Sequence, residues 1–144
     1  MNHLQATLAG LTDADPRQRD IAAEHLADLL RYTTLAQGDT ELAVRELVAL
    51  LGVESDRDVR ESALNALGEA ITYHTLNLEL FRPLEPMLAS MSPRLLEHAL
   101  YILSATHDPQ ARATIEAFLN HPDPAVRGYA ADALVELAGR DSPS

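Results

Sequence analysis

A short pattern that occurs four times restricts the folds open to this sequence. Each copy begins with a residue that can cap a helix (Asp15, Asp56, Ser92 or Asp123), and proline follows three of these four residues. A side-chain oxygen at the N-cap satisfies free N–H groups of the first turn, and proline is favoured at the first helical position. Each copy therefore predicts the start of a helix.

Small and apolar residues follow each cap at positions that share one face of a helix. Counted from anchor residues Arg19, Arg60, Leu96 and Arg127, the positions +3, +4 and +7 are alanine or leucine in every copy. This spacing is typical of a helix that buries one face, and the small residues allow a second helix to approach closely. A further apolar helical segment precedes each capped helix. These preceding segments span residues 3–11, 41–51, 78–90 and 110–120.

The copies resemble HEAT repeats, in particular the short bacterial kind similar to the phycobilin-lyase-type repeat. The resemblance rests on the segments DADPRQRDIAAEHL, ESDRDVRESALNAL and HPDPAVRGYAADAL, and Val59-Arg60 and Val126-Arg127 match the Val-Arg pair that opens the second helix in the family. It implies an all-α, right-handed α-solenoid of about four HEAT-like helical hairpins, or eight helices.

The repeat boundaries follow from the same alignment. The anchors at positions 19, 60, 96 and 127 are separated by 41, 36 and 31 residues, so the period is loose. We expect one HEAT-like domain over residues 1–139 and a flexible tail over 140–144. The four repeats are expected at approximately 1–32, 33–75, 76–107 and 108–139.

The resemblance also implies a structural role for the residues of each turn. In the family, an acid in the turn and the arginine of the second helix form a hydrogen-bonded ladder between repeats. The turn position holds Asp13, Glu54, Ser90 and His121. The third copy (SMSPRLLEHALYIL) lacks both the turn acid and the arginine, so we expect the ladder to be interrupted there, with a weak point or a bend.

The charge balance narrows the choice of partners. The chain has 22 acidic and 11 basic residues, for a formal net charge of −11. This charge repels phosphate backbones and anionic lipid heads, so we expect no nucleic-acid or membrane partner and favour a protein with a basic surface.

No cysteine is present, which excludes a disulfide framework. The first residues, MNHLQATLAG, do not read as a signal peptide, so a cytoplasmic location is expected.

The positions +1, +5 and +9 of each capped helix are expected to face away from the buried stripe, toward a binding surface. Eight of these twelve positions are acidic and none is basic. A solvated helix face would also be polar, but clustered like charges destabilise a helix, which favours a surface shaped for a cationic partner. The predicted contact residues, called the acidic ridge below, are Asp20, Glu24, Asp28, Glu61, Asn65, Glu69, Glu97, Tyr101, Asp132 and Glu136.

Catalysis has little support in the sequence. The six histidines include no pair at the i, i+3 or i, i+4 spacing of a helical metal site, and His25 falls on the apolar stripe, so we predict it to lie in the interior. No nucleophile elbow or phosphate-binding loop is present. We therefore expect no catalytic residues, no metal ligands and no cofactor. A HEAT-like DNA glycosylase would need a basic, aromatic-lined groove, which is the opposite of the acidic ridge.

The sequence thus predicts a non-enzymatic protein-binding module. The most specific hypothesis is an immunity protein, that is, a cognate inhibitor that covers the basic surface of a bacterial toxin such as a nuclease. The alternative is a structural adaptor or scaffold subunit of a larger assembly. The sequence leaves the partner, the oligomeric state and the curvature of the stack open.

Overall fold

A computed structural model of the chain describes residues 2–139, and this part is entirely helical apart from turns. The α-helices are α1 (His3–Gly10), α2 (Pro16–Tyr32), α3 (Gln37–Val53), α4 (Arg57–Tyr73), α5 (Pro93–Ala105), α6 (Arg112–Glu116) and α7 (Pro124–Gly139). Segments of 3₁₀-helix span Leu78–Leu80, Arg82–Ser90, Pro109–Ala111 and Ala117–Asn120. The predicted all-α fold class is confirmed.

The four predicted N-caps are confirmed by their hydrogen bonds. The carboxylate of Asp15 accepts from the backbone N–H of Arg17 at 3.0 Å, and that of Asp56 accepts from two N–H groups of α4. The hydroxyl of Ser92 caps α5, and the carboxylate of Asp123 accepts from Ala125 at 2.8 Å. These side chains satisfy N–H groups that have no partner inside the helix, which fixes where each capped helix begins.

The chain divides into two compact units, Met1–Leu76 and Asn77–Ser144. In the first unit, α2 packs along α4, while α1 packs on α2 and α3 packs on α4. The predicted stripe forms this core, since Ala23 and Leu26 of α2 and Leu64 and Leu67 of α4 are fully buried. Burying a leucine side chain contributes about 1.5–3 kcal/mol, so these positions supply much of the stability of the unit.

In the second unit, α5 packs along α7 in the same way. Leu100 and Leu103 of α5 are fully buried, as predicted. The stripe is less complete on α7, where Ala130 is buried but Ala131 is exposed.

The first helices of the third and fourth copies differ from the prediction. Regular apolar helices were expected over 78–90 and 110–120, but 3₁₀-helix makes up most of both segments. In the third copy the reason is local, because Pro83 and Pro86 lack an N–H group and the ring of Pro86 inside the segment obstructs α-helical hydrogen bonding. Phe81 and Leu84 nevertheless remain fully buried, so the segment keeps its packing role.

The single domain expected over residues 1–139 stays a prediction. The expected tail at residues 140–144 lies outside the described residues.

Candidate functional site

One rung of the expected ladder joins the turn of the first hairpin, between α1 and α2, to the turn of the second hairpin, between α3 and α4. Arg19 of α2 donates from Nε and Nη2 to the two carboxylate oxygens of Glu54, at 2.6 and 2.9 Å. Nη1 of the same arginine donates to the backbone carbonyls of Asp13 and Ala14 at 2.8 and 3.1 Å. The Glu54 side chain is only 2% exposed. The predicted structural role of the turn acid and the arginine is confirmed at this rung.

This pairing changes the acidity of both groups. The hydrogen bond from Arg19 holds the pKa of Glu54 below its usual range despite the burial that opposes ionisation, and the backbone N–H of Asp56 adds to the effect. The same hydrogen bond raises the pKa of Arg19. Both groups are therefore charged at neutral pH, as a ladder rung requires.

The arginines at the same position of the fourth and second copies make contacts that differ from each other. Nη1 of Arg127 donates to the carbonyls of His121 and Pro122 at 2.8 and 3.1 Å, the same pattern that Arg19 makes with its own turn. The Nε atom of Arg60 is buried and has no hydrogen-bond partner in residues 2–139. In the sequence, the copy that follows Arg60 holds Ser90 at the turn position in place of an acid. Whether the ladder is interrupted at the third copy stays a prediction.

In the first unit, two residues of the acidic ridge contact side chains outside the ridge. Asp20 accepts a hydrogen bond from the hydroxyl of Ser62, which ties α2 to α4. Glu69 lies 3.7 Å from the guanidinium of Arg31. The remaining ridge residues of this unit are Glu24, Asp28 and Asn65, which are exposed, and Glu61, which is half-buried and has an interaction partner of its own.

In the second unit, all four ridge residues line one groove between α5 and α7. The groove has a volume of about 250 Å³. Its lining, called the α5–α7 groove below, consists of Glu97, Tyr101, Ser104, Tyr129, Asp132, Ala133 and Glu136. Three carboxylates and two phenol rings therefore meet in a space about the size of one long side chain. The sequence predicted four of these residues, and whether they bind a partner stays a prediction.

His107 contacts one residue of this groove. Its Nε2 atom lies 2.9 Å from the Oε2 atom of Glu136, so the histidine holds one wall carboxylate in place. The backbone of His107 has a φ of 55°, in the left-handed region that disfavours residues with a Cβ. A helix that ends in this conformation commonly has glycine there.

A second cleft lies at the C-terminal ends of α2 and α4. The guanidinium carbon of Arg31 lies 5.2 Å from the ring centre of Tyr32 and 5.6 Å from that of Tyr73. The two tyrosines are 74% and 49% exposed. The cleft, called the Arg31 cleft below, has a volume of about 280 Å³ and also contains His74. This cluster was not predicted from the sequence, although two tyrosines at equivalent helix ends were the available signal.

His25 does not lie where the sequence pattern placed it. The prediction that His25 lies in the interior is wrong, because its side chain is exposed. The helix α1 that packs on α2 has only eight residues and begins at His3, whereas α3, which packs on α4, has 17 residues, and the equivalent Ala66 of α4 is fully buried.

Across the described part of the chain, every helix is too short or too polar to cross a bilayer.

A comparison with known families matches the second part of the chain. Residues 81–144 match the family profile for HEAT repeats. This segment is therefore similar to HEAT repeats, as the sequence pattern predicted. It starts in the first helix of the third copy and so includes the copy that has lost its turn acid and its arginine. HEAT repeats stack to form extended surfaces, and they are typical of protein-binding and scaffold modules.

Solved structures share the fold of nearly the whole chain. Two crystal structures of engineered proteins from the Northeast Structural Genomics Consortium match 96% of the chain, with TM-scores of 0.67 and 0.66 and sequence identities of 21% and 23%. A third engineered protein gives a TM-score of 0.58 at 21% identity. The chain spans 63%, 64% and 38% of the lengths of these three proteins. At these identities the likeness concerns the fold alone. No curated protein matches the sequence.

Proposed function

We propose that the chain is a non-enzymatic protein-binding module whose α5–α7 groove receives a cationic side chain of its partner. The observation that carries this proposal is the convergence of Glu97, Asp132 and Glu136 with Tyr101 and Tyr129 around one groove. Carboxylates accept charge-assisted hydrogen bonds from arginine or lysine, and a phenol ring attracts a cation over its face.

The size of the groove favours a side chain over a small molecule. Its volume of about 250 Å³ is below the range of about 300–1,000 Å³ that is usual for small-molecule pockets. Tyrosine is also frequent among the residues that dominate binding energy in protein interfaces, and Tyr101 is 40% exposed here. One anchoring arginine or lysine from a partner protein would fit this space.

The exposure of the carboxylates argues against acid–base catalysis. Glu97 and Asp132 are both exposed to solvent. General acid–base chemistry uses an enclosed pocket that separates the pKa values of two groups, and an open groove does not provide one. These carboxylates are therefore better suited to binding a partner than to acid–base catalysis.

The more specific form of the proposal is an immunity protein that covers the basic surface of a toxin such as a nuclease. It is supported by the net charge of −11 and by the exposed acids Glu24 and Asp28 in the first unit. Such charges speed encounter with a basic protein and fix its orientation. We expect Glu24→Lys and Asp28→Lys together to slow association with that protein, most strongly at low salt.

The alternative is a structural adaptor, and one observation favours it. The Arg31 cleft presents exposed tyrosines and an arginine, a surface of different chemistry from the acidic α5–α7 groove. An adaptor has to engage two different partners, and a chain with two unlike surfaces is suited to that role.

An affinity experiment with matched variants tests the proposal. The chain is immobilised and exposed to lysate of its host at low and at moderate salt, beside a Glu97→Gln/Asp132→Asn variant and a Glu116→Gln control. Glu116 is an exposed acid of α6 in the same unit and lies outside the groove. We expect one basic protein to bind the wild type and the control, to be lost from the groove variant, and to be released by salt.

Each other outcome has a defined meaning. Equal retention by the groove variant and the wild type would contradict the role of the groove. If the retained protein is a nuclease whose activity the chain blocks, the immunity hypothesis is supported. If the chain instead joins that protein to a second one and leaves its activity unchanged, the adaptor is supported.

A further inference from the structure

The helices α1 and α2 bring two histidines together that are far apart in the sequence. The Nε2 atoms of His3 and His25 lie 2.9 Å apart, and the ring centres are 4.7 Å apart with the planes at 65°. Both side chains are exposed. Two nitrogens at this distance either share one proton or can both face a cation.

We propose that His3 and His25 form a two-imidazole site for a divalent transition-metal ion, with water completing the coordination. Imidazole nitrogen suits Zn²⁺, Cu²⁺ and Ni²⁺. With metal–nitrogen bonds of about 2.0 Å, adjacent ligands of a square-planar or octahedral ion lie about 2.9 Å apart, whereas tetrahedral ligands lie about 3.3 Å apart. The separation of 2.9 Å observed here is compatible with two adjacent ligands of one such ion.

The packing of α1 on α2 holds the two ligands in register. Gly10 lies so close to α2 that a Cβ placed there would be 2.8 Å from the Cβ of Ala22. At the other end of α1, Asn2 and Gln5 form a capping box, and the hydroxyl of Thr7 donates to the carbonyl of His3 at 3.0 Å. Ligands held by rigid elements lose less freedom when they bind a metal.

The surrounding charge favours a cation. Glu24 precedes His25 on α2, and Asp28 follows it by three residues, close to one helical turn; both acids are exposed. Carboxylates near ligating histidines commonly accept their second ring N–H and raise metal affinity. In the part of the chain that the structure describes, no group of three or more potential ligands occurs, so water is required to fill the remaining positions.

Titration with NiCl₂ and CuCl₂, followed by calorimetry, tests the site on the full chain without an affinity tag. We expect one saturable equivalent for the wild type, and His3→Ala and His25→Ala each to weaken binding at least about tenfold. His98→Ala, which removes a histidine of α5 in the second unit, is the control and should bind like the wild type. Binding should be lost in acid, because imidazole must be deprotonated to ligate.

The thermal midpoint gives a second readout. Because the two ligands come from different helices, Ni²⁺ should raise the midpoint of the wild type and leave that of either histidine variant unchanged. Circular dichroism shows whether the variants fold, and glutamine can replace either histidine if alanine does not. The proposal is overturned if the wild type shows no saturable binding, or if His25→Ala binds as tightly as the wild type. Neither result bears on the α5–α7 groove.

Discussion

Arg19 and Glu54 join the first repeat to the second through two parallel hydrogen bonds, Nε to Oε1 at 2.6 Å and Nη2 to Oε2 at 2.9 Å. The carboxylate also accepts from the backbone N–H of Asp56 at 3.1 Å, so it organises its own turn as well as the contact between repeats. Removing one partner of a buried ion pair destabilises a fold, because the remaining charge is left without its partner.

Replacing Glu54 should therefore cost much more than replacing the equivalent acid of the first turn. The carboxylate of Asp13 accepts from the N–H of Asp15 in the same manner. Arg19, however, donates to the backbone carbonyl of Asp13 and not to its carboxylate. We expect Glu54→Ala to lower the free energy of unfolding by roughly 2 kcal/mol more than Asp13→Ala does. Urea denaturation of both variants measures the difference. Equal losses would show that the ion pair adds nothing beyond the turn.

The same group predicts how stability depends on pH. Because the pKa of Glu54 is lower in the folded chain than in the unfolded chain, its stabilising effect is complete above the unfolded value of about 4.3. This contribution is lost as the pH falls through the folded-state value. The free energy of unfolding should thus decrease in acid more steeply for the wild type than for Glu54→Gln. Parallel curves below about pH 4.3 would contradict the shift.

Gly10 should not tolerate a methyl group. Its added Cβ would lie 2.8 Å from the Cβ of Ala22, and an alanine neighbour cannot rotate away, so α1 would have to move. We expect Gly10→Ala to destabilise the fold by about 1–3 kcal/mol. Gly68→Ala on α4 is the matched control, because its Cβ would meet nothing within 4 Å. That variant should gain about 0.5–1 kcal/mol from helix propensity. Thermal denaturation of both variants distinguishes close packing from propensity.

Two variants of His107 distinguish the cost of its backbone conformation from the contribution of its side chain. Both His107→Gly and His107→Ala lose the contact with Glu136, but only glycine adopts a φ of 55° without cost. We expect His107→Gly to be more stable than His107→Ala by about 1 kcal/mol. Chemical denaturation measures this gap. If the two variants are equally stable, the positive φ is not maintained in solution.

Much of the fold could be predicted because residues close together in the sequence determine where each helix begins and which face it buries. The caps and the alanine–leucine stripe are short-range signals, and the buried Leu26, Leu64 and Leu100 are where the stripe places them. The 3₁₀ winding of Arg82–Ser90 was harder to predict, because the apolar spacing of that segment also suits an α-helix. Only Pro83 and Pro86 signalled the difference.

The candidate sites show where sequence spacing stops being informative. Glu97 and Tyr101 belong to the regular register, so the pattern could predict that they share a surface. Tyr129 and His107 lie outside it, and their places depend on how α5 and α7 are packed. The pairing of His3 and His25 likewise spans 22 residues and two helices, beyond the reach of any rule for one helix.

The 3₁₀ winding in the third copy also explains how the repeats can shorten. A 3₁₀-helix rises about 2.0 Å per residue against 1.5 Å for an α-helix, so the nine residues Arg82–Ser90 extend about 18 Å. The 13 residues of the partner helix α5 extend about 20 Å. Because its rise per residue is larger, a 3₁₀-helix covers nearly the same length of the partner helix with fewer residues. Deletions in a first helix can then be absorbed by a change of winding, without uncovering the helix that it protects.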